Sequence, residues 1–571
     1  MTYSSCSIRT ISVFLGSVAL IAAGSTPKEA RAQGGVSGTS MTFKGKNFFP
    51  IGLYDYPRGG QVVQNDDVNH FSQIAADGFN TVHLYDHDCG WPLGVLETCT
   101  AANLQSANNY GLAVVDSLYT YNYSGATCWL YQSSQTQVGS AMYTKLQALK
   151  SYPALLAWEH MDETGVTWAN YGTATPYYFP ANSQFQTDYT FIKTYGGGIP
   201  VWYNDGPAYF QNAYYSIAAG QTWANYCDAY SNDIYPGSNG GSSDEIKKQM
   251  DWTVHCEANK PQFAVLNAGD HANDQWSYAE RAYMVYTAII HGARGVFWWG
   301  AFNLNDTDPQ WQWIVWIASQ LKAMQIPLAN NTVAGYTYRD VYSNSMKTSG
   351  ISVSNTNLEA RCFVNGNMRY LIVANTSSSA ISAAINSVSG WHGATLYTGL
   401  VGGSMSFLGT PVSYSPHQVV VYTDYPINGT YKFVNYASGK ALDDTGSGGA
   451  GTTLDQWTYT AGTNQRWTLT STGNGMDGTY FTIQCAANNL YATVNGSTST
   501  GAAVKLAAYT GANDQQWSLV AGTGANSPWL VKNRLSGYVM DVTGASTANG
   551  ALIDQWTQTG NGNQLWWIWS P

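Results

Sequence analysis

Charge is what this chain has least of. Asp, Glu, Lys and Arg make up only 11% of its 571 residues, and their balance is acidic, with a formal net charge of −10. So few cations on an acidic chain argue against nucleic acid or an anionic membrane as a partner. Cysteine is sparse too: there are eight, with no Cys-x-x-Cys and no paired-histidine spacing, which speaks against a zinc site. Asp86-His87-Asp88 is the nearest approach to a metal cluster, but three consecutive side chains rarely converge on one ion, so neither metal nor cofactor is expected. Beyond the first thirty residues no apolar run is long enough to cross a bilayer.

The N-terminus explains the one apolar run that does occur. Arg9 precedes Ile11 to Ala23, and Ala30-Arg31-Ala32 offers a cleavage site, so residues 1–32 read as a secretory signal peptide and the protein is expected to be secreted. Cleavage removes Cys6. Of the seven cysteines left, Cys89, Cys99 and Cys128 lie near one another in sequence, and Cys227 with Cys256 is a second candidate pair that an oxidising compartment would permit. Aromatic residues are abundant at 14%, with 22 Trp and 41 Tyr, a composition suited to stacking on sugar rings.

Residues 33–325 alternate short apolar runs with helical stretches. Eight strands are expected: Phe49–Tyr56, Thr81–Asp86, Leu112–Tyr119, Ala154–His160, Ile199–Asp205, Asp228–Tyr235, Gln262–Asn267 and Gly295–Phe302. Helical patterns such as Val138–Lys150, Asp244–His255 and Tyr278–His291 separate several of them. Eight strand–helix units over this length predict an α/β fold, a (β/α)8 TIM barrel. Residues 326–425 read as a small antiparallel β-sandwich, with apolar runs at Leu371–Ala374, Thr395–Tyr397 and Val419–Tyr422 between Asn, Ser and Gly clusters.

In such a barrel the chemistry gathers at the C-terminal ends of the strands. Those positions hold Tyr54 and Asp55, His83, Tyr85 and Asp86, Tyr119, Asn204 and Asp205, Asp233 and Tyr235, Asn267, and Trp298 with Trp299. The aromatic and polar residues are candidates for substrate binding, the two tryptophans as a stacking floor. Strand four runs Ala157-Trp158-Glu159-His160-Met161-Asp162-Glu163-Thr164. This segment resembles the strand-four signature of (β/α)8 glycoside hydrolases, and the resemblance makes Glu163 the general acid/base, with Asp162 beside it to hold a hydroxyl or tune its proton. Glu159 faces either the barrel interior or the helical shell. The large retaining clan of those enzymes keeps a second Glu at strand seven, but here no Glu occurs between Glu257 and Glu280. Asp233, in Asn232-Asp233-Ile234-Tyr235-Pro236, is the best second carboxylate, with Asp55, Asp205 and Asp270 as rivals.

The last fifth of the chain carries a repeat. Gln465-Arg466-Trp467, Gln515-Gln516-Trp517 and Gln564-Leu565-Trp566 are spaced by 50 and 49 residues, which implies three equal β-rich units assembling on one another. Leu442-Asp443 with Asp455-Gln456-Trp457 and Asn464-Gln465, and Met540-Asp541 with Asp554-Gln555-Trp556 and Asn563-Gln564, surround the first and third copies. Residues 426–571 thereby resemble the ricin B-type lectin domain, a β-trefoil that serves as a carbohydrate-binding module. The resemblance implies two sugar sites, built from Asp443, Trp457, Asn464 and Gln465 and from Asp541, Trp556, Asn563 and Gln564. The middle unit, with Thr493 for the Asp and Lys505-Leu506-Ala507 for Asp-Gln-Trp, is expected to be structural.

The expectation is a monomeric, secreted glycoside hydrolase acting on a polysaccharide, with plant-type galactan, arabinan or xylan favoured. Two alternatives stay open: a substrate-assisted N-acetylhexosaminidase using Asp162 and Glu163, and a non-catalytic glycan-binding protein whose barrel is inactive.

Overall fold

The computed structural model describes residues 34–54, 56–57, 59, 66–84, 99–118, 121–122, 127–128, 136–162, 182–205, 225–237, 241–269, 275–365, 368–391, 396–398, 408–423, 429–446, 448–472, 480–521, 528–569 and 571. Among them, no helix is long and apolar enough to cross a membrane. All eight expected barrel strands form: Ile51–Leu53, Thr81–Leu84, Ala113–Ser117, Leu155–Asp162, Val201–Asp205, Ala229–Ile234, Gln262–Asn267 and Val296–Trp299. Each pairs in parallel with the next and the last pairs with the first, so the barrel is closed. Helices Ala141–Leu149, Glu245–Cys256 and Tyr278–Ile290 occupy the predicted helical stretches. Ser140 and Ser277 start the first and third of these by accepting the amides of Tyr143 and Glu280.

Successive residues of a strand point to opposite faces. The inward set is visible because its rings meet across the lumen. Trp202 of strand five lies 4.8 Å from Phe297 of strand eight and 5.4 Å from Phe263 of strand seven, centroid to centroid. Tyr54 reaches Trp202 edge-on, and Gly52 has no side chain because a Cβ there would enter the Phe297 ring. His83 stacks on Tyr54 at 4.1 Å, and its Nε2 lies 2.8 Å from Glu159 Oε2, both side chains fully buried. Glu159 thus belongs to the interior. The outward set faces helices: Trp158 Nε1 donates to the Gly196 carbonyl, Asp116 pairs with Lys145 at 2.8 Å, and His160 packs edge-on against Phe185.

Beyond the barrel a six-stranded antiparallel sheet and two two-stranded ribbons share a core that includes Leu358, Cys362, Leu371, Val373, Ile385, Trp391 and Tyr422. The sheet joins the barrel helices through buried charge. His291 sits between Asp251 of the barrel (2.7 Å) and Glu359 of the sheet (2.8 Å), and Arg361 Nε donates to the Ile290 carbonyl. Burial alone would lower the His291 pKa, but the Glu359 charge and hydrogen bonds to both carboxylates raise it to about 9.

The C-terminal strands close with threefold logic. The first strand of each unit pairs with the last of the unit before: Phe481–Cys485 with Trp467–Ser471, Trp529–Asn533 with Trp517–Ala521, and Gly429–Asn435 with Leu565–Trp569. Trp467, Trp517 and Trp566 are fully buried, and each indole donates to a carbonyl of its own unit, at Leu442, Ala492 and Met540. Cys227 and Cys256 share a small cluster with Phe185, Tyr203, Tyr230 and Trp252 but are thiols, so the suggested bridge between them is not made. Cys89 lies outside the described residues, and Cys128 is described by its backbone alone.

His291→Gln would leave two buried carboxylates facing each other without a cation, at a cost of about 3–5 kcal/mol. The pKa is raised in the fold, so its stabilisation is complete below the unfolded value near 6.5 and is lost as pH rises through about 9. Thermal unfolding of the wild type should therefore weaken between pH 7 and 10. The variant should start lower and lack that component.

Candidate functional site

Four inward-facing groups meet near the mouth of strands five and six. Trp202 Nε1 donates to Ser231 Oγ at 2.6 Å, and Ser231 Oγ donates to Asn204 Oδ1 at 2.6 Å. Asn204 Nδ2 then donates to Asp233 Oδ1 at 2.9 Å. The relay is buried from end to end, and it starts in the aromatic plug of the barrel, so packing sets the position of the Asp233 carboxylate. A β-bulge shifts the pairing of strand five with strand four between Trp202 and Tyr203, and Asn204 then stands opposite Asp162. Bulges of this kind occur beside active sites, where they re-aim a side chain. Glu163 follows directly but lies outside the described residues, as do Asp55, Tyr85, Asp86, Tyr119 and Asp270. Asp162 and Asp205 are placed by their backbones at the strand ends.

Tyr235 and Trp299 stack at 5.5 Å with their planes 24° apart, both partly exposed, and form an aromatic wall. Trp298 does not join them. It is 1% exposed and meets Phe79, which stacks on Trp311, so it packs under the helical shell. The reason is alternation: of two adjacent strand residues only one can face the lumen. Tyr54 and His83 are likewise buried below the mouth, where His83 serves Glu159. Asn267 Oδ1 accepts the Gly269 amide at 2.6 Å, which shapes the turn after strand seven. The buried Arg281 holds the same turn through the carbonyls of Asn267 and Ala268. Sequence reasoning missed Ser231, Trp202 and Arg281. Ser231 stands two residues before Asp233, so alternation alone would have put it on the same face.

The first and third C-terminal units present matching constellations. Asp443 Oδ2 accepts from Asn464 Nδ2 at 3.0 Å, and Asp541 Oδ2 accepts from Asn563 Nδ2 at 2.8 Å. Trp457 and Trp556 stand 44% and 45% exposed, which leaves their faces open for a ring to stack. Each indole lies over a glycine of another unit: Gly550 under Trp457 and Gly501 under Trp556, both at positive φ. Gln465 and Gln564 hydrogen-bond the aspartates of these constellations, Asp443 and Asp541. They are buried, and each ties its own loop, Oε1 accepting from Thr460 and Thr559 and Nε2 donating to the Thr458 and Thr557 carbonyls. Gln515 does the same in the middle unit, which lacks the sugar constellation, so this tie belongs to the repeat itself.

A family profile described as a ricin-type beta-trefoil lectin domain-like region matches residues 420–507 and 513–571. Residues 420–571 carry a ricin-type β-trefoil lectin domain. Among solved structures, the designed threefold protein ThreeFoil is 36% identical, matching 25% of this chain and 100% of its own, with a TM-score of 0.24. A Macrolepiota procera ricin B-like lectin in complex with lactose is 22% identical over 26% of this chain and 99% of its own, with a TM-score of 0.23. A GH30 endoxylanase from Clostridium papyrosolvens C71 is 13% identical over 68% of this chain and 97% of its own, with a TM-score of 0.36. No curated protein matches. The profile begins inside Val419–Thr423, a strand that pairs with Met368–Asn375 in the preceding sheet, and the first strand of the lectin domain is Gly429–Asn435.

Each lectin pocket holds two carboxylates on facing strands, Asp443 opposite Asp455 and Asp541 opposite Asp554. Burial first, then the charges of Asp443 and Asp444, raise Asp455 to about 7. Burial and Asp541 raise Asp554 to about 6. A carboxyl raised in the fold costs stability once pH passes its unfolded value, and the full cost is reached above the folded one. Asp455→Asn should therefore raise the melting temperature of the lectin domain at pH 8 by several degrees and leave it nearly unchanged at pH 4. Calorimetry across that range checks it.

Proposed function

We propose that the protein is a secreted glycoside hydrolase of polysaccharides, with Glu163 as general acid/base and Asp233 as the second carboxylate, anchored to its substrate by the lectin domain. The observation that carries this reading is the buried relay that presents Asp233 at the barrel mouth, two strands away from the Asp162-Glu163 segment. Glycoside hydrolysis needs one carboxylic acid to protonate the leaving oxygen and a second carboxylate to attack the anomeric carbon or activate water. Strands four and six are two spacings apart, about 10 Å at the backbone. Carboxylates stand about 5.5 Å apart in retaining glycosidases and about 6.5–9.5 Å apart in inverting ones, and side chains directed inward from alternate strands can span either distance. Tyr235 and Trp299 would stack a sugar beside the carboxylates. The lectin pockets, with a carboxylate, an amide and an exposed indole, suit the hydroxyls and apolar face of a neutral pyranose. Tethering through them raises the local substrate concentration at the barrel.

Activity on a panel of galactan, arabinan, xylan and N-acetylhexosamine substrates, with the product anomer followed by NMR, tests the reading. Glu163→Gln and Asp233→Asn should each lower kcat by roughly a thousandfold or more, with KM changed only a few-fold. Loss in Glu163→Gln alone would remove Asp233 and favour the substrate-assisted mechanism with Asp162. Full activity in both would overturn the reading. Trp457→Ala with Trp556→Ala should weaken retention on insoluble polysaccharide by about tenfold or more and leave turnover of a short soluble substrate unchanged.

A further inference from the structure

In each lectin unit four side chains share the outward face of one strand pair, because cross-strand partners and alternate residues point the same way. In the first unit they are Ala441, Asp443, Asp455 and Trp457, and in the third Val539, Asp541, Asp554 and Trp556. In the middle unit they are Tyr491, Thr493, Lys505 and Ala507. The pattern there is transposed. The aromatic ring has crossed from the second strand to the first, since Tyr491 stands directly opposite Ala507, the residue at the Trp position. The carboxylate has moved as well. Asp514 occupies the place of Asn464 and Asn563, and Thr493 Oγ1 donates to its Oδ2 at 2.7 Å, so donor and acceptor are exchanged. The Gly496 amide binds the same oxygen at 3.0 Å, and Oδ1 takes no hydrogen bond among the described residues.

Two features give this face the means to hold a sugar. Tyr509, 56% exposed, packs on Tyr491 with centroids 5.0 Å apart, which extends the aromatic surface. Lys505 replaces a carboxylate that the other two units keep, and it forms no ion pair among the described residues. The paired acids of the other pockets oppose an anionic sugar, whereas here an ammonium group takes the place of one acid and balances the Asp514 carboxylate.

We propose that the middle unit is a third glycan site, which takes a sugar bearing a carboxylate, that is, a uronic acid residue. Tyr491 and Tyr509 stack on the ring, Lys505 pairs with the carboxylate, and Asp514 Oδ1 accepts a ring hydroxyl. The site is independent of catalysis in the barrel.

The test uses the full-length Trp457→Ala/Trp556→Ala protein, in which the two neutral pockets are silenced, with methyl β-glucuronide and methyl β-glucoside as probes in NMR titration. The glucuronide should bind in preference to the glucoside, and salt near 0.5 M should weaken it several-fold. Adding Lys505→Gln or Tyr491→Ala should weaken it by about tenfold, while Lys505→Arg should retain it with an unchanged melting temperature. No glucuronide binding in the double variant, no preference over the glucoside, or undiminished binding after Lys505→Gln would each overturn the proposal.

Discussion

Every chemical role in this protein is decided by which face of a strand a residue occupies. A closed barrel packs its two strand faces against different partners, the lumen and the helices, and the side-chain period of two allows no compromise. In the barrel this rule sends Glu159, Asn204, Ser231 and Asp233 inward, and it sends Trp158, His160 and Trp298 to the helices. In the lectin domain it collects Asp443, Asp455 and Trp457 on one surface while Leu442 goes to the core. A one-residue slip in either region would turn the charges to the wrong face and displace the aromatic rings from their packing. The bulge in strand four after Glu159 breaks this period. It lies just before Asp162 and Glu163, and it decides that Asp162 pairs with Asn204.

The lectin repeats show how a fold and a site separate within one unit. The buried Trp, the Gln loop tie and the tight turn recur in all three, at Gly439, Asn489 and Gly537 for the turn, each with positive φ. The contacts between units are less uniform, and their changes are matched. Gln456 and Gln555 each donate to two carbonyls of a neighbouring unit and accept from Ser438 and Ser536. The middle unit has Leu506 at that position and makes the equivalent joint differently. There Asn488 donates to Asp444 and to the Gly448 carbonyl, and the Cys485 thiol also faces Asp444. Asp444 stands where the other units have Val494 and Val542, so one polar substitution in the first unit answers three in the second.

Much of this was legible in the sequence, and the reasons differ by region. The eight strands were readable because a parallel barrel buries both faces of each strand, giving short apolar runs between helical stretches. The trefoil was readable because its period is carried by large, rare residues. What could not be read was facing. Trp298 and Trp299 are chemically identical neighbours, and nothing in their composition says which of them sees the lumen. Gln465 is as able to bind a sugar as a loop, and its burial shows it tying Thr458 and Thr460 while it also hydrogen-bonds Asp443. Ser231 drew no notice because a serine in a strand is ordinary, yet it carries the link from the core indole to Asp233.

The scarcity of charge also takes on a structural meaning. Many of the charged groups among the described residues are spent inside: His83 with Glu159, Asp116 with Lys145, His291 with Asp251 and Glu359, Arg281 on the strand-seven turn, and Arg361 against Tyr336 and Tyr338. Buried charge of this kind fixes geometry more than it adds stability, since desolvation offsets most of the attraction. It leaves outer surfaces rich in Tyr, Trp, Asn, Thr and Ser, which can follow a neutral polymer by stacking and hydrogen bonding without competing for counterions. On such a surface one ammonium group such as Lys505, which forms no ion pair among the described residues, changes the charge of its whole face. Two facing carboxylates such as those of the outer lectin units would repel an acidic sugar. A chain with so few surface charges can therefore assign different glycans to different faces by changing very few residues.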